Sequence, residues 1–288
     1  MKVLVVGAGG QLGLALKRVC PPEVEMTGFG HSDLDITDAD SVAQVFRLHE
    51  PTVVINAAAY TAVDQAESDA ATAAAVNTEG ARILACAAAS CRARLIHIST
   101  DFVFDGCASD PYRPDSLTNP IGVYGRTKRE GEIAVLDEMP AGAVVLRTAW
   151  LYAEAGKNFV TTMLRLMAER GEVSVVTDEV GTPTWADSLA DVIWRFCDGP
   201  AASGIFHWTD AGQANRYEFA DAIREDALEL GLLDREARVL PITGDQYPTA
   251  ARRPAYSILD STAATEFLEV SQSPWRTNLR RMLTRIST

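Results

Sequence analysis

The sequence predicts an α/β protein: a doubly wound parallel sheet with a smaller C-terminal α/β lobe. Three observations lead there. Short apolar runs alternate with helical stretches up to about Tyr152. The first run ends in a cluster of glycines that opens a helix. Further on, Tyr124 and Lys128 stand four residues apart, so a helix starting there carries both on one face. The division expected is 1–152 for a dinucleotide domain and 153–288 mainly for a substrate lobe, with later segments free to complete the sheet.

Lys2–Val6 is too short and too apolar for a surface helix and reads as a buried strand. Gly7-Ala8-Gly9-Gly10-Gln11-Leu12-Gly13 follows, then the helical run from Leu14. Glycines at 7, 10 and 13 allow a tight turn and close approach of backbone to a pyrophosphate, and the helix start supplies free N–H groups. The commoner spacing fails, because Leu12 sits where its last glycine would fall. Val24–Phe29 reads as the second strand, and Phe29-Gly30-His31-Ser32 follows without a carboxylate that would repel a 2′-phosphate. His31 and Ser32 can donate to one; a plain loop is the competing reading. Leu34–Thr37 reads as a short strand, and Thr37 or Asp38 caps the next helix, which ends before Pro51.

Thr52–Asn56 is a strand followed by Ala57, Ala58 and Ala59, small residues against which a flat cofactor can lie. One long alanine-rich helix is expected through Val76, Leu84 and Ala87. Leu95–Ile98 is the next strand, with Thr100 just past its end as a hydroxyl donor for a carbonyl; His97 inside the run reads as a core histidine. A turn-rich loop, 107–120, leads to the Tyr124 helix. A lysine beside a phenol favours the phenolate, which would make Tyr124 an acid usable near neutral pH. Beyond it come a strand at 143–147, a helix at 158–167, a strand at 173–176, a turn at 181–184 and a helix from Leu189. A strand at 204–208, an amphipathic helix at 217–230, a short strand within 254–259 and a helix at 275–286 complete the chain. The Leu279, Met282, Leu283 stripe of that last helix reads as core.

Twenty-six basic against 39 acidic residues leave a formal charge of −13, which argues against a nucleic-acid surface or an anionic membrane. The five cysteines lack metal-ligand spacing and read as reduced thiols, and no apolar run approaches a membrane span, so a cytoplasmic protein is expected. A phosphate-bearing ligand must then be held by local groups. Arg252 and Arg253 are candidates, with a solvated surface pair as the plainer alternative.

Taken together, Gly7-x-x-Gly10-x-x-Gly13, Thr100 and Tyr124-x-x-x-Lys128 resemble the extended short-chain dehydrogenase/reductase family. So do Asn56–Asp64, Ser99–Asp101, Val103–Gly106, Arg147–Trp150 and Arg253-Pro254. The resemblance implies a Rossmann-type domain, a nicotinamide cofactor and a nucleotide-sugar substrate whose keto group is reduced. It makes Tyr124 the acid, Lys128 the holder of the nicotinamide ribose and Thr100 the orienter of the carbonyl. The candidate cofactor contacts are Gly7, Gly10, Gln11, Leu12, Gly13, His31, Ser32, Asp35, Ile36, Ala57, Ala58, Ala59, Tyr124 and Lys128, with NADPH expected and NADH admitted. The candidate substrate contacts are Thr61, Val63, Thr100, Asp101, Phe102, Tyr124, Trp150, Arg252 and Arg253, with Trp150 lying against the sugar. Phe102, Glu179 and Tyr256 depart from the family's usual Tyr, Gln and Asn. Some members use magnesium at a homodimer interface, but no motif here places its ligands. A non-catalytic use of the fold, as in the regulatory subunit of methionine adenosyltransferase, is the alternative; the intact Thr100, Tyr124 and Lys128 set favours an enzyme.

Overall fold

The computed structural model describes residues 1–287. Its centre is a six-stranded parallel sheet. Five strands are β1 (Lys2–Val6), β2 (Glu25–Phe29), β3 (Val53–Asn56), β4 (Arg94–Thr100) and β5 (Ala143–Thr148). The sixth, Gly204–His207, pairs with β5 and gives the order Gly204–His207, β5, β4, β3, β1, β2. The chain winds one way from β1 to β2 and the other way from β3 onward. The switch between β1 and β3 leaves a crevice at their carboxyl ends, where sheets of this kind bind ligands. The inner strands are buried on both faces and largely apolar, with polar residues such as Asn56, His97, Ser99 and Arg147 toward their carboxyl ends. One face packs on α1 (Gln11–Arg18) and the helix Ala186–Asp198, through Leu12, Leu16, Leu189 and Ile193. The other packs on α2 (Ala39–His49), Ala81–Cys91 and Val123–Glu138, through Val42, Phe46, Leu84 and Val135.

A second core lies in the C-terminal part. The helices Phe159–Arg170, Arg216–Glu229 and Trp275–Ser287 enclose Met167, Phe219, Leu279, Met282 and Leu283, so the last stripe is core as expected. Asn158 and Asn215 start the first two of these helices with reciprocal capping boxes to Thr161 and Glu218. Glu172–Val176 pairs in parallel with Arg238–Ile242, a strand the sequence reading did not anticipate. The turn expected at 181–184 instead holds two short strand segments, Val180–Gly181 and Thr184–Trp185.

Two expectations need correction and a third is refined. Leu34–Thr37 is not a strand: β2 is the sheet edge, and this segment turns away with Leu34 and Ile36 buried and Thr37 folded onto the Asp35 carboxylate. The segment 254–259 makes only isolated bridges, Tyr256 to Val180 and Leu259 to Tyr112. The alanine-rich helix runs unbroken over 70–91 as expected, but it is not α-helical throughout: Ala75–Gly80 is a π-helical stretch between Ala70–Ala74 and Ala81–Cys91, and the short helix Val63–Ala66 precedes it. Among the described residues no helix is long and apolar enough to cross a membrane.

Candidate active site

The glycine turn joins β1 to α1 as its sequence requires. Gly7 has a positive φ of 81°, and a Cβ there would stand 2.5 Å from the Ala58 nitrogen, so only glycine fits against β3. At Gly13 a Cβ would meet the Ala8 Cα at 2.5 Å, which fixes α1 tightly over the turn. Gly9 faces open space. Gly10 caps α1 without a side-chain hydrogen bond, so the first-turn N–H groups remain available to an anion. This cradle fits a dinucleotide pyrophosphate. Leu12 contributes only backbone, since its side chain is core. The Gln11 side chain turns toward the lobe, where its Oε1 accepts from Asn158 Nδ2 at 3.0 Å.

At the end of β2 the structure corrects the sequence reading. A carboxylate does stand there. Asp33 folds back three residues and its Oδ2 accepts from the Gly30 N–H at 2.8 Å. His31 and Ser32 are exposed beside it, and Ser32 Oγ leans on the same carboxylate at 3.4 Å. Asp35 is held below the usual carboxylate range by the backbone and hydroxyl of Thr37; Ile36 is buried. Across the crevice, Ala57 hydrogen-bonds Val6 and Ala58 hydrogen-bonds Asn56 Oδ1, so the Ala57–Ala59 backbone forms the wall facing the glycine turn. His97 is buried with Nδ1 3.0 Å from Asn56 Nδ2 and is kept neutral by burial and the Lys128 charge, the core histidine expected.

Thr100 ends β4 and its hydroxyl accepts from the Phe102 N–H at 3.2 Å. The helix Val123–Glu138 brings Tyr124 to it, phenol to Thr100 hydroxyl. Two glycines permit the approach: a Cβ at Gly125 would lie 2.1 Å from the Phe102 carbonyl, and one at Gly131 2.1 Å from the Asn77 carbonyl. The π-helical stretch explains the second contact. It turns Asn77 inward, where Oδ1 accepts from the Tyr60 N–H at 2.8 Å and Nδ2 donates to Thr127 Oγ1 at 3.1 Å. At the helix start, Glu67 Oε1 accepts from the Val123 N–H at 2.9 Å, a cap supplied from the segment that carries Thr61 and Val63. Phe102 sets its ring edge-on to Tyr124 at 5.6 Å.

Lys128 is close by, but not as the sequence suggested. Its Nζ donates to the Ile98 carbonyl at 2.6 Å, and burial pulls its pKa down to about 8 against the pull of Glu132. The Tyr124 hydroxyl is pushed up to about 12, by burial and by the Asp101 charge, with the Thr100 hydrogen bond opposing. In this state, then, the phenol is governed by desolvation rather than acidified by the lysine. Tyr124 is protonated at neutral pH and so carries a proton to give.

The lobe supplies the far wall. Trp150 follows β5 in a left-handed conformation, φ 46°. Its indole is hemmed by Gly181, where a Cβ would stand 2.4 Å away, and by Arg216, whose guanidinium carbon lies 3.5 Å from the ring centroid. Its ring is therefore held in place by both neighbours. Arg216 Nε donates to Glu179 at 3.3 Å. Asp101 is 2% exposed and pushed up to about 6 by burial, an effect that Ser257, Thr100 and the Arg216 charge offset. Arg253 is not a free cation either: its two terminal nitrogens donate to Asp64 at 2.9 and 3.2 Å, which ties the lobe to the short helix Val63–Ala66 after β3. Arg252 is exposed. Asn77, Glu67, Asp33 and Arg216 were missed because each acts on residues distant in sequence or folds back onto a loop. Only the Asn215-x-x-Glu218 capping box signalled that Arg216 opens a helix. Among the described residues no group of three or more His, Cys, Asp or Glu side chains is arranged to hold a metal ion.

Comparison with known proteins agrees with this geometry. The family model described as RmlD substrate binding domain matches residues 1–288. A dTDP-4-dehydrorhamnose reductase of Aggregatibacter actinomycetemcomitans is 38% identical over 98% of both chains. A probable dTDP-4,6-dihydroxy-2-methyloxan-3-one 4-ketoreductase of Streptomyces antibioticus is 45% identical, over 90% of this chain and 86% of its own. The crystal structure of the Bacillus anthracis dTDP-4-dehydrorhamnose reductase in complex with NADP is 35% identical and superposes with a TM-score of 0.93 over 99% of both chains. A complete hydroxyl–phenol–lysine set beside a glycine cradle, and likeness along the whole length, lead to one assignment: the chain belongs to the RmlD substrate-binding family and is a nucleotide-sugar ketoreductase that uses a nicotinamide dinucleotide.

Proposed function

We propose that the protein reduces dTDP-4-dehydro-L-rhamnose to dTDP-L-rhamnose with NADPH. The observation that carries the reading is the meeting of Thr100, Tyr124 and Lys128 at the end of β4, next to the glycine cradle. The relatives named as dTDP-4-dehydrorhamnose reductases supply the substrate class. Residues 1–152, completed by 186–207, are taken as the dinucleotide domain, and the rest of 153–288 as the substrate lobe.

The reduced nicotinamide, when bound, supplies the hydride to the sugar carbonyl carbon. The chain does the rest. Thr100 Oγ and Tyr124 Oη together hold the carbonyl oxygen, and Tyr124 hands it the proton as the alkoxide forms. Lys128 places a positive charge behind the phenol and holds the ribose, which lowers the cost of the phenolate left behind. Arg216 is a partly buried cation stacked on Trp150, and its terminal nitrogens suit a sugar hydroxyl or a phosphate oxygen.

A second reading is favoured by one feature. Glu179 and Arg216 form an ion pair in the lobe wall, and Phe102 offers no hydroxyl to the sugar. A wall so altered suits a different 4-keto-6-deoxy sugar on the same nucleotide, and the Streptomyces antibioticus relative carries the name of such a ketoreductase. Following reduced-nicotinamide absorbance with a panel of dTDP-4-keto-6-deoxy sugars decides between them. Fastest turnover on the 4-dehydrorhamnose nucleotide supports the first reading. Turnover on another member alone keeps the reaction and replaces the substrate.

A further inference from the structure

The Tyr124 helix carries a buried carboxylate for which the reaction described above has no use. Glu132 lies one turn beyond Lys128 on the same face and is 0% exposed. Arg147, near the end of β5 and 1% exposed, grips it with Nε on Oε1 at 2.8 Å and Nη2 on Oε2 at 2.7 Å. Ser99, the neighbour of Thr100 on β4, donates its hydroxyl to the same carboxylate. Arg129 adds a contact at 3.2 Å. Arg147 Nη1 reaches the Pro114 carbonyl at 3.4 Å, in the loop over the site, and lies 3.3 Å from His207 Nε2 on the edge strand. His207 Nδ1 is 3.0 Å from the Tyr112 carbonyl. That carbonyl requires a donor, so Nδ1 carries the proton and Nε2 accepts from Arg147. Burial and the Arg147 charge bring the His207 pKa to about 3, so the ring is neutral.

One ion pair thus joins the Tyr124 helix, β4, β5, the edge strand and the overlying loop. A buried pair is a weak source of stability, because desolvating both charges offsets most of their attraction. Its geometry is specific, since a guanidinium fork on a carboxylate tolerates little rotation. We propose that Glu132 and Arg147 are positioning residues: they set the roll and height of the Tyr124 helix against the end of β4, so that the phenol meets the Thr100 hydroxyl, and they keep a negative charge one turn from the Lys128 ammonium. This rests on the roles given to Thr100, Tyr124 and Lys128 above. The surroundings of Lys128 support it. Of the ionisable groups about it, His97 on β4 is neutral, Asp101 acts on Tyr124, and Glu132 is the one carboxylate that raises the lysine against burial.

The test compares three variants of the full chain with wild type for melting temperature, cofactor affinity, and kcat as a function of pH. Glu132→Gln keeps the shape and removes the charge. Its kcat should fall by at least about tenfold, as expected for misplaced catalytic groups, with cofactor affinity nearly unchanged and the alkaline limb of the kcat profile moved to lower pH. The double variant Glu132→Met with Arg147→Met replaces the pair by apolar volume. It should recover the melting temperature and not the rate. A double variant that recovers both, or a Glu132→Gln enzyme with wild-type kcat and an unmoved limb, overturns the proposal, since the pair would then serve the fold alone. Failure of both variants to fold overturns it for the same reason. Tyr124→Phe, run in parallel, separates the two levels. If it stays active, the reading of the site fails; if it is dead while the double variant works, only the positioning role fails.

Discussion

Substitutions of Tyr124 and Lys128 give the most direct tests of the proposed reaction. Tyr124→Phe should fold and bind cofactor while kcat drops by ~10²–10⁴, the usual worth of a general acid; steady-state rates and a cofactor titration check both halves. Lys128 is lowered from 10.5 to about 8. Its ammonium is therefore present below that pH and lost above it, so kcat should decline as the pH passes about 8. Lys128→Arg should abolish that decline, because a guanidinium stays charged, even where the absolute rate falls. Asp33 is the residue through which the proposed NADPH preference is tested. Its carboxylate accepts from the Gly30 N–H at the end of β2, where a carboxylate works against a 2′-phosphate. Asp33→Ser should raise the ratio of kcat/KM for NADPH over NADH several-fold, and no change in that ratio would remove Asp33 from the recognition loop. None of this depends on Trp150, over whose ring the Arg216 guanidinium lies.

Among the elements, those whose rules are local were legible in the sequence. A strand, glycines at 7, 10 and 13 and a helix start define the cradle within a dozen positions. A helix places residues four apart together wherever it lies. The π-helical stretch at Ala75–Gly80 was not legible, because Asn77 is drawn inward by Tyr60 and Thr127, partners 17 and 50 positions away. Glu132 and Arg147 escaped for the same reason, although the four-residue step from Lys128 to Glu132 was there to be read. The catalytic helix also depends on what it lacks. Gly125→Ala would drive a methyl to 2.1 Å from the Phe102 carbonyl. The helix must then shift, at a cost of about 1–3 kcal/mol, as for other overpacked sites. Thermal melts should show the loss of stability, and kcat should fall further than the melting temperature alone explains, because Thr100 and Tyr124 part.

Across the whole molecule, polar ties cross between the sheet and the C-terminal core in addition to their apolar contacts. Gln11 to Asn158 joins the glycine turn to the lobe, and Asp64 to Arg253 joins the short helix after β3 to it. Arg253→Ala should therefore raise KM for the nucleotide sugar while cofactor affinity stays near wild type, with initial-rate kinetics and a cofactor titration as the check. The opposite pattern would assign Arg253 to the cofactor side. Sheet class and strand alternation were legible because each unit buries its own apolar run. The return of the chain to the sheet after residue 152 was only allowed for, since nothing local in Gly204–His207 names β5 as its neighbour.

That return governs how the chain must be made. When a ribosome has released residues 1–152, β5 has no outer neighbour, and the face later covered by Leu189 and Ile193 is bare. An unpaired inner strand beside uncovered apolar surface invites association with other nascent chains. A fragment ending at residue 152 should precipitate or bind chaperones, whereas one extended through His207 should stay soluble longer; expression and sedimentation of the two fragments measure it. Assembly of the six-stranded sheet therefore waits on translation through His207, and the two parts are interleaved in time as they are in sequence.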